Sequence, residues 1–209
     1  MFDCCNMTFS DMKDKNVLDS EGKEIGRVID FVFHYEDDKM ELESMILGGS
    51  RFQEFLETIG IKPDSDPVID VDSIEEVNEE MHLSVTREEL QTTLDADVLQ
   101  EDDMTFSDLS KIPVVDSGGK KIGNVIDVWF DSKGMIWLVL GGGFLEETLE
   151  DLGLQPDIDF IASEGHIISI SKERIRLKMN KFELESTAEE KMGKKSKYLK
   201  LIGEPAEER

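Results

Sequence analysis

Cysteine is nearly absent. The 209 residues contain two, and they are neighbours, Cys4 and Cys5. An adjacent pair cannot complete a four-ligand zinc site, and bonding the two to each other strains the peptide between them. Both are read as free thiols in a reducing compartment. Long apolar runs are missing too: no stretch approaches the roughly 18–20 residues that span a bilayer. The opening MFDCCNMTFS has no basic start running into an apolar stretch, so no secretory signal is expected. Positive charge is scarce, with 23 Lys and Arg against 48 Asp and Glu, a net charge of −25. Phosphate backbones are bound through Lys and Arg clusters, so no direct nucleic-acid partner is expected. Anionic membranes are repelled in the same way, and membrane contact is expected only through a partner. These absences describe a cytoplasmic protein.

Residues with catalytic chemistry are few. His34, His82 and His166 fall on separate strands or strand edges, with no nucleophile motif beside any of them. There is no phosphate-binding loop: GGKKIG reads as a hairpin turn running into a strand, and the GGG at 141–143 as a tight turn before a helix. Aspartates alternate at Asp64, Asp66, Asp70 and Asp72, echoed by Asp157 and Asp159. The bidentate Glu that closes a calcium loop is missing, and Asp beside Pro forms turns. No catalytic residue, metal ligand or cofactor is assigned, and the chain is not expected to be an enzyme.

What the chain does contain is a repeat. MTFSDMKDKNVLDSEGKEIGRVIDFVF (7–33) aligns without gaps on MTFSDLSKIPVVDSGGKKIGNVIDVWF (104–130), with 16 of 27 positions identical. LGGSRFQEFLETIGIKPDSD (47–66) then matches LGGGFLEETLEDLGLQPDID (140–159), and SVTREEL (84–90) is set against SISKERI (169–175). Two copies of this length are two domains, too few and too long for a solenoid.

Each copy has the same local grammar. Val17-Leu18-Asp19 predicts a short strand, and Ser20 to Lys23 a turn in which glycine takes a positive φ. A long strand comes next over 23–34, then a charged loop at 36–39 and a third strand ending at Leu47. Alternation on the long strand places Ile25, Ile29, Phe31 and Phe33 on one face. Phe52, Phe55, Leu56 and Ile59 form one apolar stripe on a short helix stopped by Gly60 and Pro63. Leu145, Leu149 and Leu152, with Gly153 and Pro156, repeat that helix. Further strands are expected around 68–77, 81–85, 160–161 and 166–170.

The phrase V-x-D-S-x-G-x-x-I-G-x-V-I-D, at Val17 to Asp30 and Val114 to Asp127, resembles the opening of the PRC-barrel domain. The resemblance implies a mainly β fold: two tandem small PRC-type β-barrels, each with a short amphipathic helix. The expected boundaries are an N-terminal tail at 1–6, a first barrel at 7–94 and an acidic linker at 95–103. A second barrel lies at 104–187, then a Lys-rich tail at 188–209. PRC barrels are adaptor modules, found in photosynthetic reaction centres, in a ribosome maturation factor and in small archaeal proteins. The tandem arrangement is most similar to archaeal cell-division proteins that work with the membrane anchor SepF and the tubulin-like FtsZ. A homodimer acting at the division site as a protein–protein adaptor is therefore implied. The alternatives are an RNA-processing or ribosome-assembly factor, which would favour a basic face, and a ligand- or metal-binding sensor.

Differences between the copies suggest where contacts lie. Val28 and Val32 become Val125 and Trp129, while Glu43 and Ser44 become Ile136 and Trp137. Strand parity, with Ile122, Ile126 and Phe130 facing the core, points Trp129 outward, and Trp137 is out of phase with Leu138 and Leu140. Val125, Trp129, Ile136 and Trp137 thus form either a patch for dimerisation or partner binding, or a cover over the barrel's open side. In the tail, KMGKKSKYLK holds five Lys and no acid. Lys194, Lys195 and Lys197 make it either a solvated tail or a contact for an acidic surface.

Overall fold

The computed structural model describes residues 7–36, 39–59, 68–93, 103–131, 135–143, 159–180, 183 and 198–200. Their packing divides into two units. The first holds residues 7–36, 40–59, 68–93, 103–106 and 130–131, and the second the rest.

The first unit contains β1 (Met7–Thr8), α1 (Phe9–Met12), β2 (Asn16–Leu18), β3 (Glu24–Glu36), β4 (Lys39–Gly48) and α2 (Ser50–Ile59). After these come β5 (Val68–Asp70), a 3-10 turn (Val71–Ser73), β6 (Ile74–Val77), β7 (Met81–Leu83), α3 (Arg87–Thr93) and β8 (Asp103–Thr105). Strands β2 to β8 form one curled sheet in the order β5-β4-β3-β2-β7-β6, with β8 paired to β3. Ile25, Val28, Phe31, Met45, Met81 and Leu83 are fully buried within it. The apolar stripe on α2 is visible at Phe52 and Leu56, both 2% exposed. Glycine at position 26 allows the helix to approach, because a Cβ there would stand 2.8 Å from the Phe52 Cβ.

The second unit opens with α4 (Phe106–Leu109), of which Phe106 itself counts with the first. It continues with β9 (Pro113–Val115), β10 (Lys121–Phe130), β11 (Ile136–Gly141) and β12 (Asp159–Ser163). A 3-10 turn (Glu164–His166), β13 (Ile167–Ile170), β14 (Ile175–Leu177) and β15 (Tyr198–Lys200) complete it. The order is β13-β14-β9-β10-β11-β12-β15. The fold is mainly β, as expected. The helix expected on Leu145, Leu149 and Leu152, and its stop at Gly153 and Pro156, lie outside the described residues, as do Gly60 and Pro63.

The repeated phrase is built twice in the same register. Val17 pairs with Gly26, and Val114 with Gly123, in the antiparallel hairpins; Val17 and Val114 also pair in parallel with Met81 and Ile175. Each D-S-x-G-K turn is closed by its aspartate. The Asp19 amide donates to the Lys23 carbonyl at 2.9 Å, and Asp116 to Lys120 at the same distance. Oδ1 of Asp19 accepts from the Lys23 amide, and Oδ1 of Asp116 from the Lys120 amide, each at 2.8 Å. Gly22 and Gly119 hold the required positive φ, 77° and 86°. The aspartates of V-I-D act in the same manner: Asp30 Oδ1 accepts from the Phe31 amide and Asp127 Oδ1 from the Val128 amide, each at 2.8 Å.

Three sequence expectations change. First, the simple alternation on the long strands fails, because a β-bulge interrupts each. The register steps past Ile25 in β3 and past Ile122 in β10, and an extra residue shifts the facing of the residues that follow it, although Phe31, Phe33 and Phe130 further along are buried as the alternation has them. Ile29 and Ile126 are therefore 38% and 47% exposed, while Val28 and Val125 are buried. Second, SVTREEL does not correspond to SISKERI. Met81 and Ile175 occupy equivalent parallel pairs, so the partner of Leu83 to Leu90 is Leu177 to Leu184. Third, Tyr198–Lys200, within the expected tail, forms a strand parallel to β12, Asp159 opposite Tyr198.

Candidate functional site

In the first unit, β3 and β8 carry His34 and Asp103 as directly opposed residues. The imidazole Nδ1 stands 2.9 Å from Asp103 Oδ1, and the Asp103 side chain is only 1% exposed. Asp103 ends the segment expected to be an exposed acidic linker, so that expectation is corrected at this residue: pairing with β3 draws it inward. Glu43, exposed on β4, brings a second carboxyl to within 4.8 Å of the Asp103 and His34 donor atoms. Its pKa is raised, first by burial and next by the negative charge of Asp103, with His34 opposing. One donor atom from each of the three residues lies within 4.8 Å of the others. Such a set can share a proton or hold a divalent cation. In the sequence His34 stands isolated, because Glu43 belongs to the next strand and Asp103 is 69 positions away.

Aromatic rings pack close to this group of strands. Phe9 meets Phe31 edge-on at 5.4 Å and Phe106 at 4.4 Å. Phe130 stacks on Phe33 at 6.4 Å and meets Phe31 at 6.0 Å. Phe9 and Phe106, like Phe33 and Phe130, are the same position of the repeat.

The remaining histidines are separate. His82 lies on β7. His166 is 8% exposed, and its Nδ1 is 3.0 Å from Ser163 Oγ. The two residues bracket the 3-10 turn 164–166, and the hydrogen bond fixes that turn. Asp70 behaves as a turn former, its Oδ1 accepting from the Asp72 amide at 2.8 Å. Asp64, Asp66 and Asp157 lie outside the described residues.

The expected contact patch divides. Trp137 is 8% and Val125 1% exposed, so neither offers an open surface. Trp137 forms a small core with Val139 and Ile161, against which half-buried Trp129 packs, ring centroids 6.1 Å apart. Ile136 is half-buried at the start of β11. Trp137 and Val125 are thus buried, and Trp129 and Ile136 keep partial exposure. Lys194, Lys195 and Lys197 lie outside the described residues, as do Cys4 and Cys5.

Residues 101–190 match the family model of the PRC-barrel domain. The match spans the second copy of the repeat, whose hairpin, D-S-x-G-K turn and V-I-D aspartate have the same geometry in the first copy. PRC-barrel domains are in general non-catalytic modules for protein interaction or for ribosome and RNA processing. Among curated proteins nothing matches the chain. Among the described residues no helix is long and apolar enough to cross a membrane.

Proposed function

We propose that the chain is a non-enzymatic protein–protein adaptor with two PRC-type barrels, the first copy being of the same kind as the second. The observation that carries this reading is the duplication. The repeated residues Asp19, Gly22, Asp30 and their counterparts Asp116, Gly119, Asp127 are all committed to backbone geometry. What was duplicated is therefore a scaffold, and two linked scaffolds raise the effective concentration of a second contact. The partner class is the division machinery: SepF as the membrane anchor and, through it, FtsZ, with the chain acting as a homodimer at the division site. Trp129 and Ile136, the half-buried residues that differ from the first copy, and Lys194, Lys195 and Lys197 in the tail are the proposed contacts.

Affinity capture from native cells tests this, using the full chain, a Trp129→Ala variant and a chain cut after Ser186. Recovery of SepF or FtsZ, reduced at least several-fold by Trp129→Ala or by the cut, is expected. Recovery of ribosomal proteins or RNA without a division protein would replace this reading with an assembly factor docked on a basic partner. Light scattering of the full chain checks the homodimer.

A further inference from the structure

We propose that His34, Glu43 and Asp103 form a binding site for a divalent transition ion of the zinc class, which ties β8 to the sheet of the first unit. Three strands each deliver one donor: an imidazole nitrogen from β3 and carboxylate oxygens from β4 and β8, all within 4.8 Å of one another. Ligands of zinc stand about 2.0–2.2 Å from the ion, so two ligands of one ion are at most about 4.4 Å apart. His34 and Asp103, at 2.9 Å across their hydrogen bond, need to part by only about 0.5 Å to reach the roughly 3.4 Å spacing of donors in a tetrahedral site. Glu43 is exposed and can close the remaining gap by rotating its side chain.

The donor chemistry selects the ion. One imidazole with two carboxylates suits zinc and the other divalent ions that accept nitrogen, whereas calcium and magnesium take oxygen ligands. Two carboxyls side by side in a chain of charge −25 are also costly unless a proton or cation sits between them. Binding releases the Nδ1 proton of His34 or shifts it to Nε2, and the ion replaces the His34–Asp103 hydrogen bond. Three protein donors leave a fourth position for water or for a donor from a partner. The placement makes the ion structural. The strand β8 is three residues long and pairs with the register His34–Asp103, Phe33–Met104 and Val32–Thr105. A ligand bridge across that ladder fastens the end of the segment that joins the two copies. This inference is independent of the adaptor reading.

The test is calorimetric titration of the full chain with Zn2+, both cysteines replaced by serine because thiols bind zinc themselves. One ion per chain is expected, with equimolar Mg2+ unable to compete. Glu43→Gln and Asp103→Asn should each weaken binding at least tenfold, and Zn2+ should raise the Tm of the parent but not of either variant. Glu43 is exposed, so Glu43→Gln decides the matter if Asp103→Asn fails to fold. Binding without a defined stoichiometry, binding equally displaced by Mg2+, or unchanged affinity in Glu43→Gln would overturn the proposal and assign the zinc to the diffuse acidic surface.

Discussion

At the scale of single residues, Asp19 and Asp116 show how a polar side chain specifies a turn. Asp19 is 1% exposed, and its carboxylate accepts from the amides of Glu21, Lys23 and Arg87 at 3.0, 2.8 and 3.3 Å. Removing it leaves those donors short of a partner, and hydrogen bonds to a charged acceptor contribute about 1.5–3 kcal/mol. Asp19→Ala should therefore lower stability by about 2 kcal/mol in urea unfolding. Asp19→Asn, which keeps one oxygen in place, should recover most of the loss. Equal losses in the two variants would show that the charge, and not the acceptor geometry, sets the turn.

At the scale of elements, α3 begins with a capping box where the repeat alignment predicts the end of a strand and a turn. The Thr86 amide and hydroxyl both donate to Glu89 Oε2, at 2.8 and 3.0 Å, and the Glu89 amide donates to Thr86 Oγ1. The second copy repeats the device. The Asn180 amide donates to Glu183 Oε2 at 2.7 Å, and the Glu183 amide to Asn180 Oδ1 at 3.2 Å. T-x-x-E and N-x-x-E are both legible in the sequence, but setting SVTREEL against SISKERI conceals their equivalence. The two hydrogen bonds from Thr86 lower the pKa of Glu89. A lowered carboxylate stabilises the fold above its ordinary value of 4.5, and the contribution is lost as pH falls through the lowered value. Protection factors of the amides over 87–93, exchange corrected for its intrinsic pH dependence, should accordingly fall when the parent chain is acidified. In Thr86→Ala protection should be low already at neutral pH and lose the acid dependence. An unchanged acid response in that variant would assign the effect to another group.

At the scale of the whole molecule, the boundary between the copies does not follow the repeat. Asp103 to Phe106 pack with the first unit, where β8 pairs with β3 and Phe106 contacts Phe9. A first-copy fragment ending at Lys111 should therefore melt above one ending at Asp102. An aromatic pair contributes about 0.5–1.5 kcal/mol beyond its burial, and each kcal/mol moves the Tm of a domain this size by about 4–8 °C. Equal melting of the two fragments would show that β8 adds nothing to the first unit.

The sequence by itself determined the strands of the repeated hairpin, the two copies and the turns, because those depend on short-range rules: alternation, glycine at a positive φ, aspartate beside an open amide. It also placed Phe52 and Leu56 on one helical stripe. It could not determine that Ile29 and Ile126 turn outward while Val28 and Val125 turn in, since the bulge at Ile25 or Ile122 carries no compositional mark. Nor could it bring His34, Glu43 and Asp103 together. Their proximity comes from the pairing of three strands, one of them supplied by the segment that joins the copies, and strand pairing over such separations is decided only when the chain is packed.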